Sequence, residues 1–243
     1  MTTWPDIPYA RWRPTGASLH MWSQIVGKFR LALTPWMNHS WHAVLYLTPR
    51  GLTTSTIPGA DAQYEVRFDF IDHHLTIDVS NGQSAILPLE PMPVADFNKA
   101  FRAALKGLGA PTKFDALPNE VPAPKAFREQ GEPGAYDPEA ARDFHLAALA
   151  IDTVFKRFRT GFLGKSSPSH LFWGSRRPSI RAASPRYQTT SRARPIPTKY
   201  RRRAFGRGAA ASMSPASTLM LIRPLMGLRT QMLSPPLPIG PTP

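Results

Sequence analysis

The sequence predicts an α+β domain, a mostly antiparallel sheet with about three packed helices, followed by a disordered C-terminal tail. Three observations lead there. Apolar and polar residues alternate along two neighbouring stretches, three other stretches carry apolar stripes at helical spacing, and every acidic residue precedes Ser175. The 243 residues hold 30 Lys+Arg against 16 Asp+Glu. Residues 1–175 hold 17 basic and all 16 acidic residues, so 17 − 16 = +1, whereas residues 176–243 hold 13 basic and none acidic. That break separates a domain over 1–175 from a basic, Pro-rich tail over 176–243.

The elements follow in order. Leu19, Trp22, Val26, Phe29 and Leu33 recur at steps of three and four, a helical stripe preceded by Pro14-Thr15-Gly16 and closed by Pro35. Trp41 to Thr48 is short and rich in β-formers, and it reads as a strand. Arg50-Gly51 reads as a turn, with a β-rich stretch after it. Tyr64, Val66, Phe68 and Phe70 alternate with Glu65, Arg67 and Asp69; after Asp72-His73, Leu75, Ile77 and Val79 resume the period. Asn81-Gly82 marks a hairpin turn into Ser84 to Leu89. Together these form an antiparallel meander with one dry face, and its turn leaves His73 and His74 in solvent. Pro93 opens a second helix with Val94, Phe97, Phe101, Leu105 and Leu108 on one side and Gly107 and Gly109 at its end. Leu117 to Pro133 is a long, Pro-rich irregular connection. Asp137 caps a third helix, with Pro138 at its first position and Phe144, Ile151, Phe155, Phe158 and Phe162 on one face. His170 to Trp173 reads as a final buried strand.

Composition excludes several classes. The chain has no cysteine, so disulfide scaffolds, thiolate metal sites and cysteine nucleophiles are ruled out. No apolar stretch reaches the ~18–20 residues of a membrane span. The N-terminus lacks a basic stretch followed by an apolar one, so no secretory signal and no membrane is expected, and the cytoplasm is the expected location.

Several segments are distinctive: Trp4-Pro-Asp-Ile-Pro-Tyr9, Leu19-His-Met-Trp-Ser-Gln-Ile-Val-Gly-Lys28, Asn38-His-Ser-Trp-His42 and Arg50-Gly-Leu-Thr-Thr-Ser55. Phe68-Asp-Phe-Ile-Asp-His73, Leu117-Pro-Asn-Glu-Val121 and Gly164-Lys-Ser-Ser-Pro-Ser-His-Leu-Phe-Trp-Gly174 join them. Over about residues 4–175 the chain resembles a bacterial family of uncharacterised proteins, the domain of unknown function five-nine-nine-six. The resemblance implies a cytoplasmic α+β protein and no established activity. It also implies a longer ordered C-terminal part, with stretches like E-V-S-S-A-G-F-W-P-G and Y-A-Y-P-x-P-D-G-F. This chain instead continues Arg176-Arg-Pro-Ser-Ile. Codons read from the third base of Thr198 permit Glu-Val-Ser-Ser-Ala-Gly-Phe-Trp-Pro-Gly across Lys199 to Gly208. The same offset permits Asp-Ala-Tyr-Pro-Ala-Pro-Asp-Gly-Phe-Ala-Asp across Met220 to Thr230. The tail is therefore expected to be out-of-frame translation beginning near Ser175. An open alternative frame in the gene would carry this reading, and stop codons throughout it would sink it.

The residues offer candidate chemistry without a complete motif. His39 and His42, three apart beside Asn38 and Trp41, could ligate a metal or act as an acid–base pair; the same pair also suits local hydrogen bonds at a strand entrance. His20 on the first helix, and Asn119-Glu120 in the Pro-rich loop, could face a pocket. Arg50, Thr53 and Thr54 around Gly51 could cradle an anion or simply form a turn. Gly164-Lys165-Ser166-Ser167 lacks the earlier glycine and following helix of a phosphate loop. All six tryptophans fall within residues 1–175, where they suit a pocket or a core equally. Two function classes stay open. One is an enzyme or small-molecule binding protein with a pocket lined by His20, Asn38, His39, His42, Arg50, Asn119 and Glu120; the other is a non-catalytic interaction domain. A nucleic-acid-binding arm built on Arg201-Arg-Arg203 is a third, less favoured reading, because the tail's composition also suits a shifted frame. No cofactor, substrate or reaction follows.

Overall fold

A computed structural model describes residues 5–119, 121–160, 170–172 and 179–181; of residues 38–40, 171, 172 and 179–181 only the backbone is described. The first helix, α1, spans Tyr9–Leu33, and a 3₁₀ turn, Asn38–Ala43, follows it. Eight strands come next in the described chain: β1 (Leu45–Thr48), β2 (Gly51–Thr53), β3 (Ile57–Pro58), β4 (Gln63–Asp69), β5 (His74–Val79) and β6 (Ser84–Pro88), then after the remaining helices β7 (His170–Phe172) and β8 (Ser179–Arg181). The helices between β6 and β7 are α2 (Val94–Gly107) and α3 (Pro138–Arg159), with a short 3₁₀ turn, Phe127–Glu129, between them.

Every strand pairing is antiparallel, in the order β6-β5-β4-β2-β1-β7-β8, with β3 added to β4. The expected α+β architecture with three helices is therefore the observed one. The period-two stretches form the central pair: Tyr64 faces Val79 and Phe68 faces Leu75. Val66, Phe68, Leu75 and Ile77 are buried, which is the apolar face that the alternation requires. At Asn81-Gly82 the chain reverses with Gly82 at φ 90°, a left-handed conformation that favours glycine.

Two helices begin as their sequences require. Asp137 accepts hydrogen bonds from the Glu139 and Ala140 N–H groups, with Pro138 in the first turn of α3. In α2, Phe97, Phe101 and Leu105 point inward, and the Phe97 and Phe101 rings stack 6.2 Å apart. The first helix differs from expectation. It starts at Tyr9 and continues through Pro14, where an interior proline removes one backbone bond. Tertiary anchors outweigh that loss: Trp12 stacks on Phe144 at 4.3 Å, and Arg11 bonds Asp137 and Glu139. Packed against both other helices, α1 buries Thr15, Ser18, Ser23, Gln24, Lys28 and Arg30 beside its apolar stripe. Thr15 and Ser18 accept from the N–H groups of Asp137 and Ala135, so they fix the chain leading into α3.

Other boundaries are also corrected. Only Leu45–Thr48 of the stretch Trp41–Thr48 is strand; Trp41 to Ala43 belong to the 3₁₀ turn that packs beside α1. The Pro-rich connection contains the Phe127–Glu129 turn, held because Phe127 is fully buried. His73 is half-buried, not solvent-facing, and its Nδ1 meets the Tyr136 hydroxyl at 2.9 Å. Of the tail only Ser179–Arg181 is described, as an edge strand on β7; the expectation of disorder over the rest lies outside the described residues. No helix among the described residues is long and apolar enough to cross a membrane.

Burial of two histidines sets a pH response. His145 is buried, and its Nε2 lies 2.9 Å from the Thr48 carbonyl, which only accepts, so Nε2 carries the proton. Its Nδ1 is buried without a partner. Burial holds His145 and His73 below the ordinary histidine value of 6.5, against the pull of Asp69. The unfolded chain therefore binds more protons than the folded one as pH falls below about 6.5, and stability drops there while staying level above it. The urea midpoint is expected to fall between pH 7.5 and 5, and less steeply in His145→Gln, which keeps a donor for Thr48 and cannot titrate. An unchanged midpoint across that range would contradict this.

Candidate functional site

The candidates do not assemble into one pocket. On α1, His20, Gln24 and Lys28 are four residues apart and share one stripe of the helix. Gln24 lies 3.1 Å from the His20 ring and clamps Asn119 twice: its amide donates to the Asn119 carbonyl at 3.0 Å and its oxygen accepts from the Asn119 N–H at 2.7 Å. Lys28, nearly buried, reaches Asp115 at 2.5 Å and the Asn119 side-chain oxygen at 2.9 Å. The ammonium group beside it holds the Asp115 carboxyl below the usual carboxylate range. His20 and Asn119, both marked out by sequence, are thus brought together. Gln24, Lys28 and Asp115 complete the cluster and were missed; the i, i+4, i+8 spacing of His20, Gln24 and Lys28 was the available signal. Glu120 lies outside the described residues.

Arg50, Thr53 and Thr54 sit elsewhere, at the β1–β2 turn and along β2. The Arg50 guanidinium bonds Asp69 and Asp72, both at 2.5 Å. Burial alone would push the Asp69 carboxyl up, but Arg50 and the N–H groups of Asp72 and Ile71 hold it below its usual value. Thr53 donates to Glu65 at 2.6 Å, and Thr54 donates to the Ser55 carbonyl while accepting from the Val66 N–H. These groups are engaged within the sheet, so they brace the turn.

His42 is buried at the end of the 3₁₀ turn, where its Nδ1 accepts from the Met37 N–H at 3.1 Å and Trp36 lies across its ring. Asn38 and His39 are placed by backbone alone in the same turn. Among the described residues no three His, Asp or Glu side chains gather as a metal site.

A second polar position on α1 was not foreseen. Arg30 is only 4% exposed. It donates to the Val44 carbonyl, and its guanidinium lies 5.6 Å from the centre of the Tyr46 ring. Tyr46 in turn meets the buried His170 edge-on. The Arg30 Nε has no hydrogen-bond partner, and no carboxylate among the described residues pairs with the group. Burial lowers its pKa, with Tyr46 opposing. Arg102 is the instructive contrast: it also lacks a carboxylate, yet its fork bonds Asn98, Thr112 and Phe114. A buried guanidinium with an open donor is costly unless an acceptor meets it.

An all-antiparallel sheet covered by three helices, with a polar stripe on the innermost helix, defines an α+β domain whose distinctive chemistry lies along α1. The chain belongs to the family of unknown function DUF5996, whose model matches residues 4–193. The match extends past Ser175, to residue 193. No curated protein and no solved structure matches the chain.

Proposed function

We propose that this chain binds a small anionic molecule, a carboxylate or phosphate ester, on the side of α1 where Arg30 meets Val44 and Tyr46. The observation that carries the reading is the open Nε of a buried Arg30. Among the described residues no carboxylate pairs with the guanidinium. A planar guanidinium with one edge already held by a carbonyl is suited to take a carboxylate or phosphate oxygen on its free donor. Lys28 lies about 200° around the helix from Arg30, so Lys28 and its partners Asp115 and Asn119 are on another side of α1 and take no part in this site. Arg50 has no part in this site.

The test is thermal denaturation of the purified chain with inorganic phosphate or citrate, against sodium chloride at equal ionic strength. At about ten times the dissociation constant, binding adds about 1.4 kcal/mol, a shift of a few degrees. The shift is expected in the parent and in Arg50→Gln and is expected to vanish in Arg30→Met. Equal midpoints in phosphate, citrate and chloride for the parent would end the anion reading. A non-catalytic interaction domain is the second reading, favoured by the engagement of Arg50, Thr53, Thr54, His42 and Asn119 in bonds within the fold.

A further inference from the structure

The outer face of α3 carries an arrangement that the anion reading does not use. Leu146 and Val154 are 43% and 49% exposed, although Phe144, Ile151 and Phe155 on the other side of the helix pack against the core. Asp143, Leu146, Ala150, Val154 and Arg157 follow one another at steps of three, four, four and three, so they form one stripe that is symmetric about Ala150. The ends of this stripe have opposite charge. Neither Asp143 nor Arg157 joins any ion pair among the described residues, whereas the nearby Asp137 and Glu139 are held by Arg11 and Asp152 by Lys156.

We propose that α3 is a self-association surface, on which a second copy of this chain docks its own α3 antiparallel about a two-fold axis at Ala150. A symmetric interface needs a patch complementary to itself, and this stripe meets that condition. In the two-fold register Leu146 meets Val154 of the second copy, Asp143 meets Arg157, and Ala150 meets Ala150. The small residue at the centre lets the two helices approach to about 8 Å. Charge selects the direction as well: a parallel pairing would set Asp143 against Asp143 and Arg157 against Arg157. A single helix pair lies at the small end of specific interfaces, so the dimer is weak, with a dissociation constant in the micromolar range.

The absence of cysteine makes the full-length chain its own clean background for a crosslinking test. Under mild oxidation Ala150→Cys is expected to form a disulfide dimer at least about tenfold faster than Ala100→Cys on the exposed side of α2, because only residues at the axis reach the required Cβ separation of about 4 Å. In sedimentation velocity up to about 200 µM, the parent is expected to dimerise, Arg157→Asp to dimerise at least tenfold more weakly, and Asp143→Arg combined with Arg157→Asp to recover. The recovery separates a charge effect from damage to the helix. A parent that stays monomeric, equal crosslinking of the two cysteine variants, or a swap that fails to recover would each overturn the proposal.

Discussion

Replacing Trp22 by alanine is expected to cost about 3–5 kcal/mol of unfolding free energy, the range for truncating a large buried aromatic. Trp22 is completely buried on α1, stacks on Phe97 of α2 at 4.9 Å, and tilts against Tyr136 at 5.8 Å. One ring therefore joins the innermost helix to α2 and to the segment that leads into α3. Its loss leaves a cavity where three parts of the chain meet, and aromatic neighbours on that scale collapse into it only in part. Trp22→Phe is expected to be much milder, about 1 kcal/mol. It removes volume, but it also removes the indole N–H, which is buried here without an acceptor. Urea denaturation followed by circular dichroism measures both. A Trp22→Ala loss below about 1.5 kcal/mol would mean that the three segments do not depend on this ring.

A second large effect is expected at a position with no side chain at all. A Cβ built on Gly51 would stand 1.9 Å from the carbonyl oxygen of Phe68, which is backbone and cannot rotate away. Gly51 pairs with Asp69 and Leu52 with Phe68 in the β2–β4 ladder. Gly51→Ala must therefore push β2 off β4, loosening the bond from the Phe70 N–H to the Arg50 carbonyl and the contact between Arg50 and Asp69. The expected loss is about 3 kcal/mol, at the upper end for overpacking. Amide exchange should accelerate at Thr54 and Phe70 before it does so in α2. Stability within about 0.5 kcal/mol of the parent, with unchanged exchange, would show that the strands can separate without cost.

The legible parts of this protein are those governed by contacts between near neighbours. The alternation from Tyr64 to Val79 reports which side chains face the core, and that depends only on the two-residue pleat. Asp137 capping its own helix and Gly82 turning the hairpin are decided within a few residues. The start of α1 was misplaced because Pro14 is a local veto. What overrides it, Trp12 on Phe144 and Arg11 on Asp137, comes from more than a hundred residues along the chain. The 3₁₀ turn at Asn38–Ala43 was hidden for a related reason: Trp41 to Ala43 adjoin the β-forming run that continues to Thr48, and both conformations suit them until α1 packs beside them.

The candidate site divides along the same line. Sequence marked His20, His42, Arg50, Thr53, Thr54 and Asn119 by type, and it could not tell an engaged polar group from a free one. Arg50 precedes a strand and Arg30 lies in the last turn of a helix, and type alone makes both simply cations. Arg50 finds Asp69 and Asp72 across the turn, whereas Arg30 is sealed between Val44 and Tyr46 with one donor open. The sequence by itself determined the fold class, the central strand pair, the caps of α3 and the family, because periodicity and turn chemistry are properties of the local chain. Only the tertiary structure decided that β1 lies between β2 and β7, that Gln24 bonds Asn119, and that the buried Arg30 keeps one donor open. Those depend on which distant groups share a space, and burial fixes the electrostatic cost of each polar atom only once that space is closed.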